Sequence, residues 1–309
     1  MTETTALVTG RAFLEGPRWH DGALYVSDMH GDAVLCVAED GDTATVVEVE
    51  QPSGLGWLPD GSLLVCSMAR RCVMRFDGSN LAVHADLSGL APYDINDMCV
   101  DRHGHAFVGQ FGYDMWGGQP PAAAPLLRVD PDGSAHEAAD GLRMANGMVI
   151  TANQSALLVA ESWGKCIAAF DLGDDGSLSN RRVWAELPDF PDGIGIDAED
   201  GVWVASPVSD RFTRVVEGGE VTATIERRAD TRSHVQSEAS PVTRCTCSPR
   251  RRSASASNRR QRAPRPSRQP GSRWRQPRIG SLPSQLAAAS RMNFALAACA
   301  SVSSEISMI

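Results

Sequence analysis

EGPRWHDGALYVSD, residues 15–28, is the first of five related segments spread along the chain. The other four are SGLGWLPDGSLLVCS at 53–67, NDMCVDRHGHAFVGQ at 96–110, NGMVITANQSALLVAES at 146–162 and DGIGIDAEDGVWVAS at 192–206. Successive copies start 38, 43, 50 and 46 residues apart. Each copy contains a short apolar strand, a polar turn and a second strand. Internal repetition at this period predicts a repeat architecture.

The sequence between the repeats adds a further pair of strands to most units. Examples are AVLCVAEDGDTATVVEV at 33–49 and CVMRFDGSNLAVHADL at 72–87. Apolar residues alternate between turn residues, and no segment sustains a helical period. Four strands in 40–50 residues are typical of one blade of a β-propeller. A β-sandwich would not repeat one segment five times, so we predict an all-β propeller with five recognisable blades in residues 1–225.

The charge distribution places a boundary near residue 225. Residues 1–225 carry 13 basic and 34 acidic side chains, a net charge of −21, whereas residues 226–309 carry 16 and 4, a net charge of +12. The second part is rich in Arg, Ser and Pro, and this composition predicts disorder. Its basic tracts offer a phosphate-binding interpretation, but we do not expect a nucleic-acid partner.

A frameshift near residue 225 is a better explanation of this tail. Read one base out of frame, Arg244–Ser248 is constrained to Leu, Val or Met at two positions, with Tyr or His between them. Such a segment resembles the strand that a further blade would need. We therefore predict that the last blade is lost or out of frame, and a DNA read of codons 215–255 tests this.

The first residues of the five repeats suggest a binding site. The innermost strand of each propeller blade lines the central channel, so equivalent positions converge there. Two carboxylates, two amides and a hydroxyl would then meet, and hard cations such as calcium, magnesium or manganese prefer such oxygen ligands. Turn capping by these polar side chains is the alternative for any one of them. The residues are Glu15, Ser53, Asn96, Asn146 and Asp192.

Three of these segments resemble one known family. EGPRW at Glu15, ANGM at Asn146 and PDGIGID at Asp192 are similar to regucalcin (senescence marker protein), the gluconolactonases and luciferin-regenerating enzyme. The resemblance runs from about residue 12 to residue 221 and implies a six-bladed propeller with one divalent metal ion at the channel mouth. It implies Glu15, Asn146 and Asp192 as metal ligands, with Asp192 also the general base. Asn96 would contact substrate or water.

The family resemblance implies metal-dependent hydrolysis of a small lactone. We expect calcium, with zinc, magnesium or manganese as alternatives. The cation would polarise the lactone carbonyl and activate water, and a carboxylate would take the proton. No G-x-S-x-G motif offers a serine-hydrolase alternative. A non-catalytic propeller that binds a metal or a partner, and an inactive frameshift product, remain open.

The substrate-binding residues depart from the sugar-lactonase pattern. In those enzymes an arginine often lies two residues before the blade-three asparagine, where this chain has Asp94. The segment 109–125 reads as a loop over the channel, and its aromatic residues Phe111, Tyr113 and Trp116 would form either an apolar lid or ordinary loop packing. We predict these four residues as substrate contacts.

The remaining sequence features bear on location. The sequence contains no run of about 18 apolar residues, so it predicts no membrane-spanning helix. Eight cysteines are scattered without a C-x-x-C pair, which indicates reduced thiols rather than a zinc site or a disulfide framework. We expect a cytoplasmic protein; the sequence does not fix its oligomeric state.

Overall fold

A computed structural model describes residues 5–38, 40–209, 211–226 and 306–308. This part of the chain forms β-strands joined by turns and loops, and within it no helix is long and apolar enough to cross a membrane. The predicted tail, with its proposed frameshift, its disorder and the lost sixth blade, falls almost entirely outside these residues. Those predictions, and the boundary at residue 225, are therefore untested.

Five four-stranded antiparallel sheets follow one another in sequence, and in each sheet the strand order is the chain order. The strands of the first two blades are β2 (Leu14–His20), β3 (Ala23–Asp28), β4 (Ala33–Val37), β5 (Thr43–Glu48), β6 (Pro52–Trp57), β7 (Leu63–Ser67), β8 (Cys72–Phe76) and β9 (Leu81–Asp86). Blade three contains β10 (Ile95–Val100), β11 (Ala106–Gln110), β12 (Ala124–Val129) and β13 (Ala135–Leu142). The all-β propeller with five blades is confirmed.

The last two blades have the same arrangement. Their strands are β14 (Ala145–Ile150), β15 (Ala156–Glu161), β16 (Cys166–Leu172), β17 (Leu178–Glu186), β18 (Ile194–Ile196), β19 (Val202–Ser206), β20 (Arg211–Val215) and β21 (Val221–Glu226). Two short strands outside the blades, β1 (Thr5–Val8) and β22 (Ile306–Met308), pair with each other. Each sequence repeat thus supplies the first two strands of one blade.

The hydrophobic core lies between successive blades. One cluster joins Tyr25 and Val34 of blade one to Leu55 and Val65 of blade two. Equivalent clusters join blades two and three, three and four, and four and five. A blade that lies between two others packs against a neighbouring blade on each face. Its strands are therefore apolar on both sides, as in LLVCS at 63–67, where every residue is buried.

The first strands of neighbouring blades lie side by side around the channel: β2 contacts β6, β6 contacts β10, β10 contacts β14 and β14 contacts β18. Near the start of four of them the pairing register shifts, between Glu15 and Arg18 in β2 and at the matching places in β6, β10 and β14. Such bulges re-aim side chains. They fall at the repeat-opening residues, which the repeats predict as a binding site.

Glycine follows four of the five repeat-opening residues, and at Gly16 and Gly147 the next blade comes very close. A Cβ on Gly16 would lie 2.6 Å from the carbonyl oxygen of Ser53, and Gly16 also has a positive φ of 54°. A Cβ on Gly147 would lie 2.4 Å from the backbone nitrogen of Ile194. The glycines therefore permit the blade-to-blade approach that brings the inner strands together.

Candidate active site

A cavity of about 390 Å³ opens at the channel end where the inner strands begin. Its polar lining comes from blades one, three, four and five, and consists of Glu15, Asn96, Asn146, Ser162 and Asp192. Its apolar lining consists of Phe13, Met29, Met68, Phe111, Met115, Trp116, Met144, Trp163, Phe190, Pro191, Pro207 and Val208. Four of the five repeat-opening residues thus share one cavity.

Asp192 is fixed by hydrogen bonds from the neighbouring blade. The Nδ2 of Asn146 donates to Oδ1 of Asp192 at 2.6 Å and lies 3.2 Å from Oγ of Ser162. Ser162 donates in turn to the carbonyl oxygen of Pro191 at 2.8 Å. The other carboxylate oxygen of Asp192, Oδ2, is buried and has no hydrogen-bond partner among the described residues. One oxygen is therefore held and the other is left for a ligand.

The two carboxyl groups of the cavity have raised pKa values. Burial raises the pKa of Asp192 to about 7, opposed in part by the hydrogen bond from Asn146. Burial also raises the pKa of Glu15 well above its ordinary value, and the negative charges of Asp192 and Asp97 raise it further. Two carboxylates that repel each other in a desolvated site are stabilised by a cation.

Beneath the cavity, an ion pair crosses the channel. Arg18 of β2 donates from Nη2 to Oδ1 of Asp97 in β10 at 2.7 Å, and also to the carbonyl oxygen of Met98 at 2.7 Å. Asp97 also accepts from the backbone nitrogen of Met98. The guanidinium thus compensates one buried carboxylate and lowers the pKa of Glu15 slightly. The pair links blades one and three directly.

The remaining two repeat-opening residues, Asn96 and Ser53, differ from each other in whether they line the cavity. Asn96 lines the cavity, and its Nδ2 lies 3.4 Å from the carbonyl oxygen of Ala145. Ser53 is buried on β6 and is not among the lining residues; its carbonyl oxygen accepts a hydrogen bond from Ser27. The register of the repeat therefore places four polar groups at the cavity and the fifth in the packing around it.

The structure separates the four predicted substrate contacts. Phe111 and Trp116 line the cavity, whereas Asp94 and Tyr113 stand behind its wall. Asp94 accepts a hydrogen bond from Nε1 of Trp116 at 2.9 Å, and Tyr113 accepts one from Nε1 of Trp163 at 2.7 Å. Both therefore contact tryptophans of the wall rather than the cavity itself.

Several cavity residues were missed in the sequence because they lie at the end of a repeat or between repeats. Ser162 and Trp163 occupy the turn after β15, and Phe190 lies in the connection between β17 and β18. The rings of Trp163 and Phe190 meet edge to face at 5.2 Å. Nζ of Lys165 lies over the Phe190 ring, 4.4 Å from its centroid, as a cation–π contact. The sequence feature that could have identified Trp163 as a cavity residue is an aromatic residue within a polar turn, as in ESWGK.

The donor set fits a divalent metal ion at Glu15, Asn146 and Asp192. In the described ranges no three acidic, His or Cys side chains form a metal cluster, so binding here would need amide as well as carboxylate oxygens. Two carboxylates of raised pKa and the unpartnered Oδ2 of Asp192 supply what a hard cation requires.

Fold and site together define a β-propeller with a carboxylate-bearing cavity at the mouth of its channel. Residues 13–235 match the family described as SMP-30/gluconolactonase/LRE-like region, and the chain belongs to that family. The resemblance seen in the repeats is therefore confirmed.

Individual relatives agree with this assignment. Pentonolactonase XacC of Haloferax volcanii is 27% identical over 212 residues, which are 66% of this chain and 70% of that protein. Regucalcin of Danio rerio is 32% identical over 125 residues, 39% of this chain and 41% of its own length. A gluconolactonase structure from Xanthomonas campestris superposes with a TM-score of 0.59 at 26% identity and covers 71% of this chain and 77% of its own.

Proposed function

We propose that this protein hydrolyses a small lactone with one divalent metal ion held by Glu15, Asn146 and Asp192. The observation that carries the proposal is the unpartnered Oδ2 of Asp192 beside a second carboxyl group at the base of one cavity. Membership of a family whose named relatives include a pentonolactonase and a gluconolactonase supports the reaction class. Calcium is the ion we expect, because carboxylate and amide oxygens are the ligands that this hard cation prefers.

When bound, a divalent cation would supply Lewis acidity to the lactone carbonyl and favour ionisation of water. The residues of the chain divide the remaining tasks. Asn146 keeps Oδ1 of Asp192 in place. The carboxylate of Asp192 would also accept the proton of the attacking water as general base. Asn96 would orient the substrate through its side-chain amide.

The overall step balances as ring opening by water. The water oxygen bonds to the carbonyl carbon, the ring C–O bond breaks, and the departing alkoxide takes a proton. The product is a hydroxy acid, which ionises and releases a proton to solution. Burial raises the pKa of Asp192 to about 7 when no cation is present, and a bound cation would lower it, so the group would be an ionised carboxylate able to accept a proton near neutral pH. We expect no membrane or nucleic-acid partner and a cytoplasmic location.

The test is proton release from lactones by the full chain in a pH-stat. The rates of hydrolysis of glucono-, pentono- and alkyl-substituted lactones are compared after metal has been removed with a chelator and after Ca²⁺, Mg²⁺, Mn²⁺ or Zn²⁺ has been added. Asp192→Asn should lower kcat by about 10²-fold or more, the usual contribution of a general base. Asp200→Asn, an exposed carboxyl on the same blade, is the matched control. Hydrolysis that survives both chelation and Asp192→Asn would contradict the proposal.

A further inference from the structure

The walls of the cavity offer almost no hydrogen bonds above its polar base. The five polar lining residues lie at the starts of the inner strands and in the turn after β15, and the described lining contains no Arg, Lys or His. Twelve lining residues are apolar or aromatic. A polyhydroxylated sugar lactone placed here would leave hydroxyl groups without partners, and a desolvated, unpaired hydroxyl is costly.

The polar atoms of the wall tryptophans are already used. Nε1 of Trp163 donates to the hydroxyl of Tyr113, and Nε1 of Trp116 donates to Oδ2 of Asp94. The single hydrogen-bond donor of each tryptophan is therefore already bonded to a residue behind the wall. The rings that remain are apolar surface. Met29, Met68 and Met144 add flexible, polarisable side chains that adapt to an apolar ligand.

Asp94 ties down the loop that carries Trp116. Its carbonyl oxygen accepts a hydrogen bond from the backbone nitrogen of Phe111 at 3.0 Å, while its carboxylate accepts from the indole of Trp116. Trp116 is 71% exposed, so little else restrains it. Asp94 is therefore a positioning residue for an apolar wall.

We infer that this cavity selects lactones that carry an apolar substituent over polyhydroxylated sugar lactones, with Trp116, held by Asp94, as a specificity-determining residue. This inference rests on the proposed function, because it names the substrate class of the same site. The polar base would take the lactone ring and the reacting water. The methionine and tryptophan wall would take the substituent.

The first test is a series of γ-lactones with methyl, butyl and hexyl substituents, compared with gluconolactone. We expect kcat/KM to rise by up to about fourfold for each methylene that the wall buries. Trp116→Ala should lower kcat/KM for the hexyl lactone by about tenfold, through KM, and lower it less for gluconolactone. Trp116→Phe, which keeps an apolar ring but loses the indole bond to Asp94, should weaken the preference less than Trp116→Ala and to an extent similar to Asp94→Ala.

Variants of Asp94 distinguish a residue that positions the Trp116 ring from one that only supports the fold. Asp94→Ala should weaken the preference for the hexyl lactone, whereas Asp94→Asn, which keeps an acceptor for the indole, should restore it. Val183→Ala, at an exposed apolar residue of β17 outside the cavity, is the control for surface truncation. A preference for gluconolactone, or rates independent of chain length, would overturn the inference and leave the lactonase proposal intact.

Binding of lactams, which resist hydrolysis, distinguishes failure of the inference from failure of the lactonase proposal. Calorimetry should give a Kd that tightens from methyl to hexyl lactam, with a negative heat-capacity change from apolar burial. If no lactone is hydrolysed but the lactams behave in this way, the lactonase proposal fails and the inference about the wall stands. If the lactams bind without dependence on chain length, the inference fails whatever the enzyme hydrolyses.

Discussion

At the scale of single residues, the proposed chemistry depends most on the buried carboxyl of Asp192. One oxygen accepts the hydrogen bond from Asn146, and the other has no partner among the described residues. Burial raises its pKa to about 7. Without a cation, the folded protein therefore favours the protonated form of this group more than the unfolded chain does.

This difference makes the stability of the metal-free protein depend on pH. Because the folded-state pKa lies above the ordinary value of 3.8, the contribution of Asp192 to stability is present at low pH and is lost as pH rises through about 7. The loss is at most about 1.4 kcal/mol per pH unit. In chelator, Tm measured by calorimetry should fall more steeply between about pH 4 and pH 7 for the wild type than for Asp192→Asn. Equal slopes would contradict the assignment.

A second residue-scale prediction concerns the pair of Arg18 and Asp97. The side chains are 21% and 9% exposed, so removing the arginine leaves a carboxylate largely buried beside Glu15. Arg18→Met should lower the free energy of unfolding by about 3–5 kcal/mol in urea denaturation. The double variant Arg18→Met with Asp97→Leu should recover part of the loss, since no unpaired charge remains. A double variant no more stable than Arg18→Met would argue against the pair.

At the scale of strands, the part of the site that could be predicted from the sequence is the part carried by the bulged starts of the inner strands, such as β2, β6, β10 and β14. The repeats identify the blades, and their register brings Glu15, Asn96, Asn146 and Asp192 to one cavity. Turns and connections carry no such register, so Trp163 and Phe190 could not be assigned. The orientation of Tyr113 depends on its bond to Trp163, which sequence alternation in a loop cannot predict.

The same strands predict which glycines are indispensable. Gly147 is buried where β14 meets blade five, and an added Cβ would lie 2.4 Å from the backbone nitrogen of Ile194. Gly147→Ala should destabilise the protein by about 1–3 kcal/mol, because backbone on both sides must shift. Gly89→Ala, in an exposed turn with no atom within 4 Å of the new Cβ, should be nearly neutral. Equal urea midpoints for the two variants would refute this account of the packing.

At the scale of the whole molecule, stability is distributed along a ring of stacked repeats. In repeat proteins stability comes largely from interfaces between neighbours. The inner strand of blade three, β10, contacts the inner strands of blades two and four. Clusters of buried side chains join each of the five described blades to the next in sequence. The proposed metal ligands belong to blades one, four and five, so a cation bound to them would connect the first and last of these blades.

This arrangement predicts a gradient in amide hydrogen exchange. In chelator, the inner strands of blades one and five should exchange faster than β10, because β10 is packed between two blades. Calcium at about 100 times its Kd should stabilise the folded state by about 2.7 kcal/mol and slow exchange most in β2 and β18, whose blades the ligands join. Asp192→Asn should keep the gradient and abolish the calcium effect. Uniform exchange across all five blades would mean that the ring opens as one cooperative unit, and slowing confined to blade three would place the cation elsewhere.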